Sequence, residues 1–124
     1  MIEEKTLSIL LVEDEAMIRM MVADMVETLG HRVAAEAGNM DQAMELARSV
    51  DFDLAIIDMN LNGTMTFGIA DAIAARNIPV LFASGYASTM ATDQHRQELV
   101  LQKPFTVDRL QAAIDQAMQK RDRQ

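Results

Sequence analysis

Leu7-Ser8-Ile9-Leu10-Leu11-Val12-Glu13-Asp14-Glu15 is the stretch on which the reading of this chain turns. A run apolar almost throughout, rather than at every second residue, is a strand covered on both faces, as in a parallel sheet flanked by helices. It stops abruptly in three acids. Beyond them Met17, Ile18, Met21, Val22, Met25, Val26 and Leu29 recur at helical spacing, and Gly30 stands where a helix C′ glycine belongs. The alternation continues outward. Arg32–Ala37 reads as a weaker strand, and Asn39 as the N-cap of a helix with Gln42 three residues on and Ala43, Leu46, Ala47 and Val50 on one face. Leu54-Ala55-Ile56-Ile57 is a third strand ending at Asp58, followed by a polar loop through Asn62-Gly63-Thr64 and a helix around Phe67–Arg76. Val80-Leu81-Phe82-Ala83 is a fourth strand, ending at Ser84-Gly85. Tyr86–Glu98 has no clean period, and a helix is placed within Thr92–Gln97. Leu99-Val100-Leu101 is the fifth strand; after Lys103-Pro104-Phe105, Thr106 caps a last helix with Val107, Leu110, Ala113, Ile114, Ala117 and Met118 inward. Five strands interleaved with five helices predict an α/β fold, a doubly wound parallel sheet with helices on both faces.

Composition narrows the function. The 124 residues make one domain, and eleven basic against nineteen acidic residues leave a net charge of −8. That surface argues against nucleic acid and against an anionic membrane as partners. The absence of cysteine excludes disulfides, Cys-ligated zinc, Fe–S clusters and thiol catalysis, and it fits a reducing cytoplasm. The start carries acids and no apolar h-region, and no apolar run is long enough to span a bilayer. A soluble, cytoplasmic domain is the expectation. The Met17, Met21, Met25 stripe is expected to pack in the core, a Met-rich partner groove being the lesser alternative. His31 and His95 are expected at the surface.

In a doubly wound sheet the site lies outside the carboxyl ends of the strands. The polar residues there are Glu13 and Asp14 after the first strand, Asp58 after the third, Ser84 after the fourth and Lys103 after the fifth. Clustered carboxylates need a compensating cation, and hard oxygen donors favour Mg²⁺ over zinc or copper. A carboxylate can itself be a nucleophile and form an aspartyl phosphate, with Lys103 and Ser84 holding the other phosphoryl oxygens. Each residue also has a duller reading: acids suit a helix N-terminus, Ser84-Gly85 suits a turn, Lys103-Pro104 a loop. Four such accidents at four strand ends make a poor joint explanation.

Leu10-Leu11-Val12-Glu13-Asp14-Glu15, Ala55-Ile56-Ile57-Asp58-Met59-Asn60, Phe82-Ala83-Ser84-Gly85 and Lys103-Pro104-Phe105 stand in the order and at the separations found in receiver domains of bacterial two-component response regulators. The chain resembles that family from about Leu7 to Lys120. The resemblance implies a flavodoxin-like receiver of strand order 2-1-3-4-5, with Asp58 as phosphoacceptor from a sensor histidine kinase. It implies a Mg²⁺ site of Glu13, Asp14, Asp58 and the backbone carbonyl of Asn60, Ser84 at the Ser/Thr switch position, and Lys103 as the family lysine, usually followed by a cis bond to proline. It further implies a single receiver over residues 1–124 without an output domain, monomeric or weakly dimeric. Its state would be read by a downstream protein of unknown identity, or passed on as phosphoryl. Such a chain catalyses only its own phosphorylation and dephosphorylation and is not an enzyme with external substrates.

Three departures from the family pattern stand out. Asn62 occupies the place where many receivers carry proline, Val100 the place of the usual aromatic switch residue, and the interval from Ser84 to Lys103 looks short. With Phe82-Ala83-Ser84-Gly85-Tyr86, this is similar to an atypical subgroup with a Phe-Ala-Thr-Gly-like motif, and Tyr86 becomes the aromatic switch candidate beside Ser84. The alternatives are the receiver part of a larger hybrid kinase or regulator, and an aspartate-nucleophile phosphohydrolase. The last is disfavoured because haloacid-dehalogenase-type enzymes place a second acid where this chain has Asn60. Neither GxGxxG nor GxxxxGK[ST] occurs, which disfavours a nucleotide-binding fold.

Overall fold

A computed structural model describes residues 6–85 and 99–122. In chain order the elements are β1 (Ser8–Val12), α1 (Ala16–Thr28), β2 (Arg32–Ala37), α2 (Met40–Ser49), β3 (Leu54–Asp58), β4 (Asn60–Leu61), β5 (Thr64–Met65), α3 (Phe67–Ala74), β6 (Val80–Ser84), β7 (Leu99–Gln102) and α4 (Val107–Asp122). Successive strand residues point to opposite faces, so an all-apolar strand must be covered twice. Along β1 and β3, Leu10, Val12, Ala55 and Ile57 pack with Ala43, Ala47, Ile69 and Ile73 of α2 and α3. Ile9, Leu11, Leu54 and Ile56 turn the other way, onto Val22 and Val26 of α1 and Leu110 and Ile114 of α4. Each of the larger side chains contributes about 1.5–3 kcal/mol by leaving water. The sheet runs β2-β1-β3-β6-β7, every pair parallel. That is the expected order of a flavodoxin-like receiver fold, with β6 and β7 as its fourth and fifth strands. The helix expected within Thr92–Gln97 lies outside the described residues.

Helix ends follow their sequence signals. Gly30 takes φ +89°, its N–H reaches the Glu27 carbonyl at 3.0 Å, and the His31 N–H reaches the Val26 carbonyl at 3.1 Å, a Schellman closure. Asn39 Oδ1 accepts from the Gln42 N–H at 2.8 Å, and Thr106 Oγ1 from the Arg109 N–H at 3.2 Å. The Lys103-Pro104 bond is cis.

Three expectations are corrected. Met17 and Met21 are not core: they are 78% and 56% exposed, with Met20 at 62%, and only Met25 packs inward. Apolar residues come in adjacent pairs along α1, about 100° apart around the axis, and the sheet covers the second of each pair, burying Val22 and Val26 and partly burying Ile18. The polar loop after β3 is a paired element, β4 and β5 joined antiparallel with Asn60 opposite Met65. His31 is half-buried, and its Nδ1 accepts the Leu7 N–H at 3.1 Å, tying the entry of β1 to the end of α1.

Candidate functional site

Register brings the strand ends together. Asp58 is paired with Ala83 on β6, and Ser84 with Gln102 on β7. The ladder runs one step further, the Lys103 N–H donating to the Ser84 carbonyl at 2.8 Å. Lys103 therefore leaves the sheet beside the third and fourth strand ends, and its Nζ lies 2.9 Å from Glu13 Oε1 and 2.9 Å from Asp58 Oδ2. Glu13, Asp58 and Ser84 are buried, at 6%, 8% and 3% exposure. The other carboxylate oxygens are also engaged: Glu13 Oε2 accepts from the Glu15 N–H and Asp58 Oδ1 from the Asn60 N–H, each at 3.0 Å. Asp14 Oδ2 accepts from the Asn62 N–H at 3.3 Å.

One carboxylate oxygen each from Glu13, Asp14 and Asp58 falls within 4.8 Å of the others. Three negative charges against the Lys103 ammonium leave −2, and every donor is a hard oxygen. That donor set fits a divalent cation of the Mg²⁺ type and is wrong for soft metals. Asn60 is exposed, two residues beyond Asp58. Tyr86 and His95 lie outside the described residues. Val100 is half-buried and packs against the cluster containing Ile57 and Phe82.

Sequence reasoning missed three supporting features. Thr66, fully buried, donates its hydroxyl to the Asp58 carbonyl at 2.8 Å instead of capping α3. Arg19 Nη1 donates to the Glu13 carbonyl at 2.7 Å while its Nε meets Glu36 at 3.1 Å, and a Cβ added at Gly38 would fall 3.0 Å from that Nη1. Asn62 and Gly63 both take positive φ, 50° and 89°, and turn the β4–β5 hairpin. The last of these carried a signal, because Asn-Gly is the strongest short hairpin dipeptide. Thr66 and Arg19 act on backbone carbonyls, which no side-chain pattern announces.

Burial is the main influence on Glu13 and lifts its carboxyl above the usual range. The Asp58 charge adds to this, while hydrogen bonds from Lys103 and the Glu15 N–H oppose it. Burial works against the Lys103 charge, but its hydrogen bonds to Glu13 and Asp58 and their charges outweigh that and raise its pKa. A carboxyl whose folded pKa is raised stabilises the fold below the unfolded glutamate pKa, and this is lost as pH rises through the folded value. The Lys103 contribution is complete below the ordinary lysine pKa and is lost only in strong alkali. Glu13→Gln, which mimics the protonated carboxyl, should therefore melt higher than wild type at neutral pH without metal and gain less on acidification. Melting curves in chelator from mild acid to neutral pH check this; a lower Tm for the variant at neutral pH would mean the Lys103 pair outweighs burial.

A family model, the response regulator receiver domain, matches residues 9–115. The transcriptional regulatory protein PdtaR of Mycobacterium tuberculosis is 32% identical over 114 residues, 89% of this chain and 56% of PdtaR. The chain thus spans a little over half the length of that curated relative. Among solved structures, SdrG from Sphingomonas melonis Fr1 is 35% identical with a TM-score of 0.80, covering 91% of this chain and 97% of SdrG. The anti-anti-sigma factor PhyR from Bartonella quintana is 26% identical with a TM-score of 0.85, over 98% of this chain and 51% of PhyR. Receiver domains are in general signalling domains rather than enzymes, and no helix among the described residues is long and apolar enough to cross a membrane. Because the family match reaches all five strands of the main sheet and all four described helices, this chain belongs to the response regulator receiver domains.

Proposed function

We propose that this chain is a phosphorylation-controlled response regulator, with Asp58 taking a phosphoryl group from a sensor histidine kinase in a Mg²⁺-dependent reaction. The observation that carries this reading is the Lys103 ammonium, 2.9 Å from both Glu13 and Asp58 in a nest of three carboxylates. A carboxylate oxygen of Asp58 attacks phosphorus, the P–N bond to the donor imidazole breaks, and its electron pair stays on that nitrogen, which takes a proton from solvent. Lys103, already on Asp58, turns to a phosphoryl oxygen, and Ser84 donates to another. Asp14, Asp58 and the Asn60 carbonyl, with Glu13 beside them, would hold Mg²⁺, which when bound neutralises charge on the phosphoryl oxygens. Asn60 has no proton of an acid to give to a leaving group, and this weighs against turnover of external phosphate esters.

The covered length of SdrG supports a stand-alone single receiver over residues 1–124; PdtaR and PhyR support a receiver within a larger regulator. The likeness to an anti-anti-sigma factor supports a downstream partner in sigma-factor control. Exposed Met17, Met20 and Met21 sit on the helix that leaves the site and offer adaptable apolar contact to a protein partner.

With Mg²⁺ and acetyl phosphate, the wild-type chain should gain one acyl phosphate, read by intact mass and lost on hydroxylamine treatment. Asp58→Ala should gain none. Label persisting in that variant at the wild-type level would move the nucleophile elsewhere and sink the reading.

A further inference from the structure

We infer that the β4–β5 hairpin is the positioning element of the cation site, its left-handed Asn62-Gly63 turn holding Asn60 and Asp14 in fixed relation. This rests on the Mg²⁺ reading above. Asp14 and Asn62 are 48 residues apart in sequence, and the Asn62 N–H on Asp14 Oδ2 at 3.3 Å is the bond that joins the first strand end to the hairpin. Asn60 is held from three sides. Its N–H is on Asp58 Oδ1 at 3.0 Å, its Oδ1 accepts the Gly63 N–H at 2.8 Å, and its backbone is paired with Met65. The base of the hairpin is clamped in turn: the Thr66 hydroxyl meets the Asp58 carbonyl at 2.8 Å, and the Thr66 N–H meets the Met59 carbonyl at 3.1 Å. One turn thus touches or braces Asp14, Asp58 and Asn60.

The turn needs positive φ at both central residues, which asparagine and glycine tolerate. At Gly63 the conformation rather than space makes the demand, since an added Cβ would meet nothing within 4 Å. Proline at 62 would force φ near −65° and delete the donor to Asp14. Groups that orient metal ligands without touching the metal change its affinity by about 10–100-fold when lost.

Mg²⁺ titration by calorimetry of unphosphorylated protein tests this, with circular dichroism to confirm folding. Asn62→Pro should bind about tenfold more weakly than wild type. Asn62→Gly, which keeps both the N–H and the left-handed conformation, should retain wild-type affinity. Asn60→Ala, which deletes only an exposed side chain and keeps the carbonyl, should also bind more weakly, and it carries the test if the proline variant does not fold. Wild-type protein that binds Mg²⁺, loses it with Asp14→Ala, and is matched by the Asn60→Ala variant overturns the inference and leaves the metal reading intact. Equal weakening in Asn62→Gly and Asn62→Pro overturns the conformational basis. Wild-type protein that binds no Mg²⁺ overturns the metal reading and the inference with it.

Discussion

Lys103→Ala should slow phosphoryl transfer from acetyl phosphate to Asp58 by about 10²–10³-fold, the usual consequence of losing a charged donor aimed at developing negative charge. Lys103 is the one cation in bonding contact with Asp58 among the described residues, and it reaches the phosphoacceptor without rearrangement at 2.9 Å. The same substitution has a stability signature. It leaves the Glu13 and Asp58 side chains, 7% and 11% exposed, without their counter-charge. Breaking a buried pair from one side costs about 3–5 kcal/mol; the lower end applies here, because Lys103 itself retains 19% side-chain exposure. Mg²⁺ should restore part of that loss as a ligand of the folded state. Urea denaturation with and without Mg²⁺ and time courses of acetyl phosphate labelling separate the two effects. Labelling at the wild-type rate would make Lys103 a structural counter-ion only.

Phe82→Ala should lower the free energy of unfolding by about 3–5 kcal/mol, a large part of the total for a domain of this size. Phe82 is 1% exposed on the fourth strand of the main sheet, and its ring meets Phe67 of α3 edge to face at 5.7 Å between centroids. Neighbours on both sides belong to sheet and helix, so they cannot close the space. Phe82→Leu keeps most of the volume and should cost under about 1.5 kcal/mol. Denaturant unfolding with an unchanged m-value checks both. A loss near 1 kcal/mol for the alanine variant would show that α3 collapses onto the gap. Because Ala83 and Ser84 follow directly, such a collapse would also reach the site.

The five sheet strands and most helix ends were legible because they are set by local rules. Apolar runs at Ile9–Val12 and Leu54–Ile57, the glycine at 30 and the caps at Asn39 and Thr106 each act within a few residues. The acid and lysine strand ends were legible once the sheet order was inferred, because a parallel sheet puts all its carboxyl ends at one edge. The face of α1 was not. Met17 with Ile18 and Met21 with Val22 are equally apolar pairs, and only the tilt of the helix on the sheet decides which member is covered. Thr66 was hidden for a different reason: its partner is a carbonyl eight residues back, brought near by the hairpin between them. That hairpin was announced by Asn62-Gly63 but lacks the flanking β-rich alternation that identifies longer ones.

Arg19 ties together positions that lie far apart in the chain, and this has consequences for how such a sequence can drift. Its guanidinium serves the Glu13 carbonyl and the Glu36 carboxylate, and it leaves 3.0 Å for a methyl at position 38. Alanine at 38 would press on the Arg19 guanidinium, which must then give by a few tenths of an ångström while it holds the Glu13 carbonyl. Once residue 19 is short, the same alanine meets little. Lysine at 19 is no neutral bridge between the two states, as it lacks the fork that reaches both partners. Positions 19 and 38 are thus coupled, and the order of substitutions decides what each one meets.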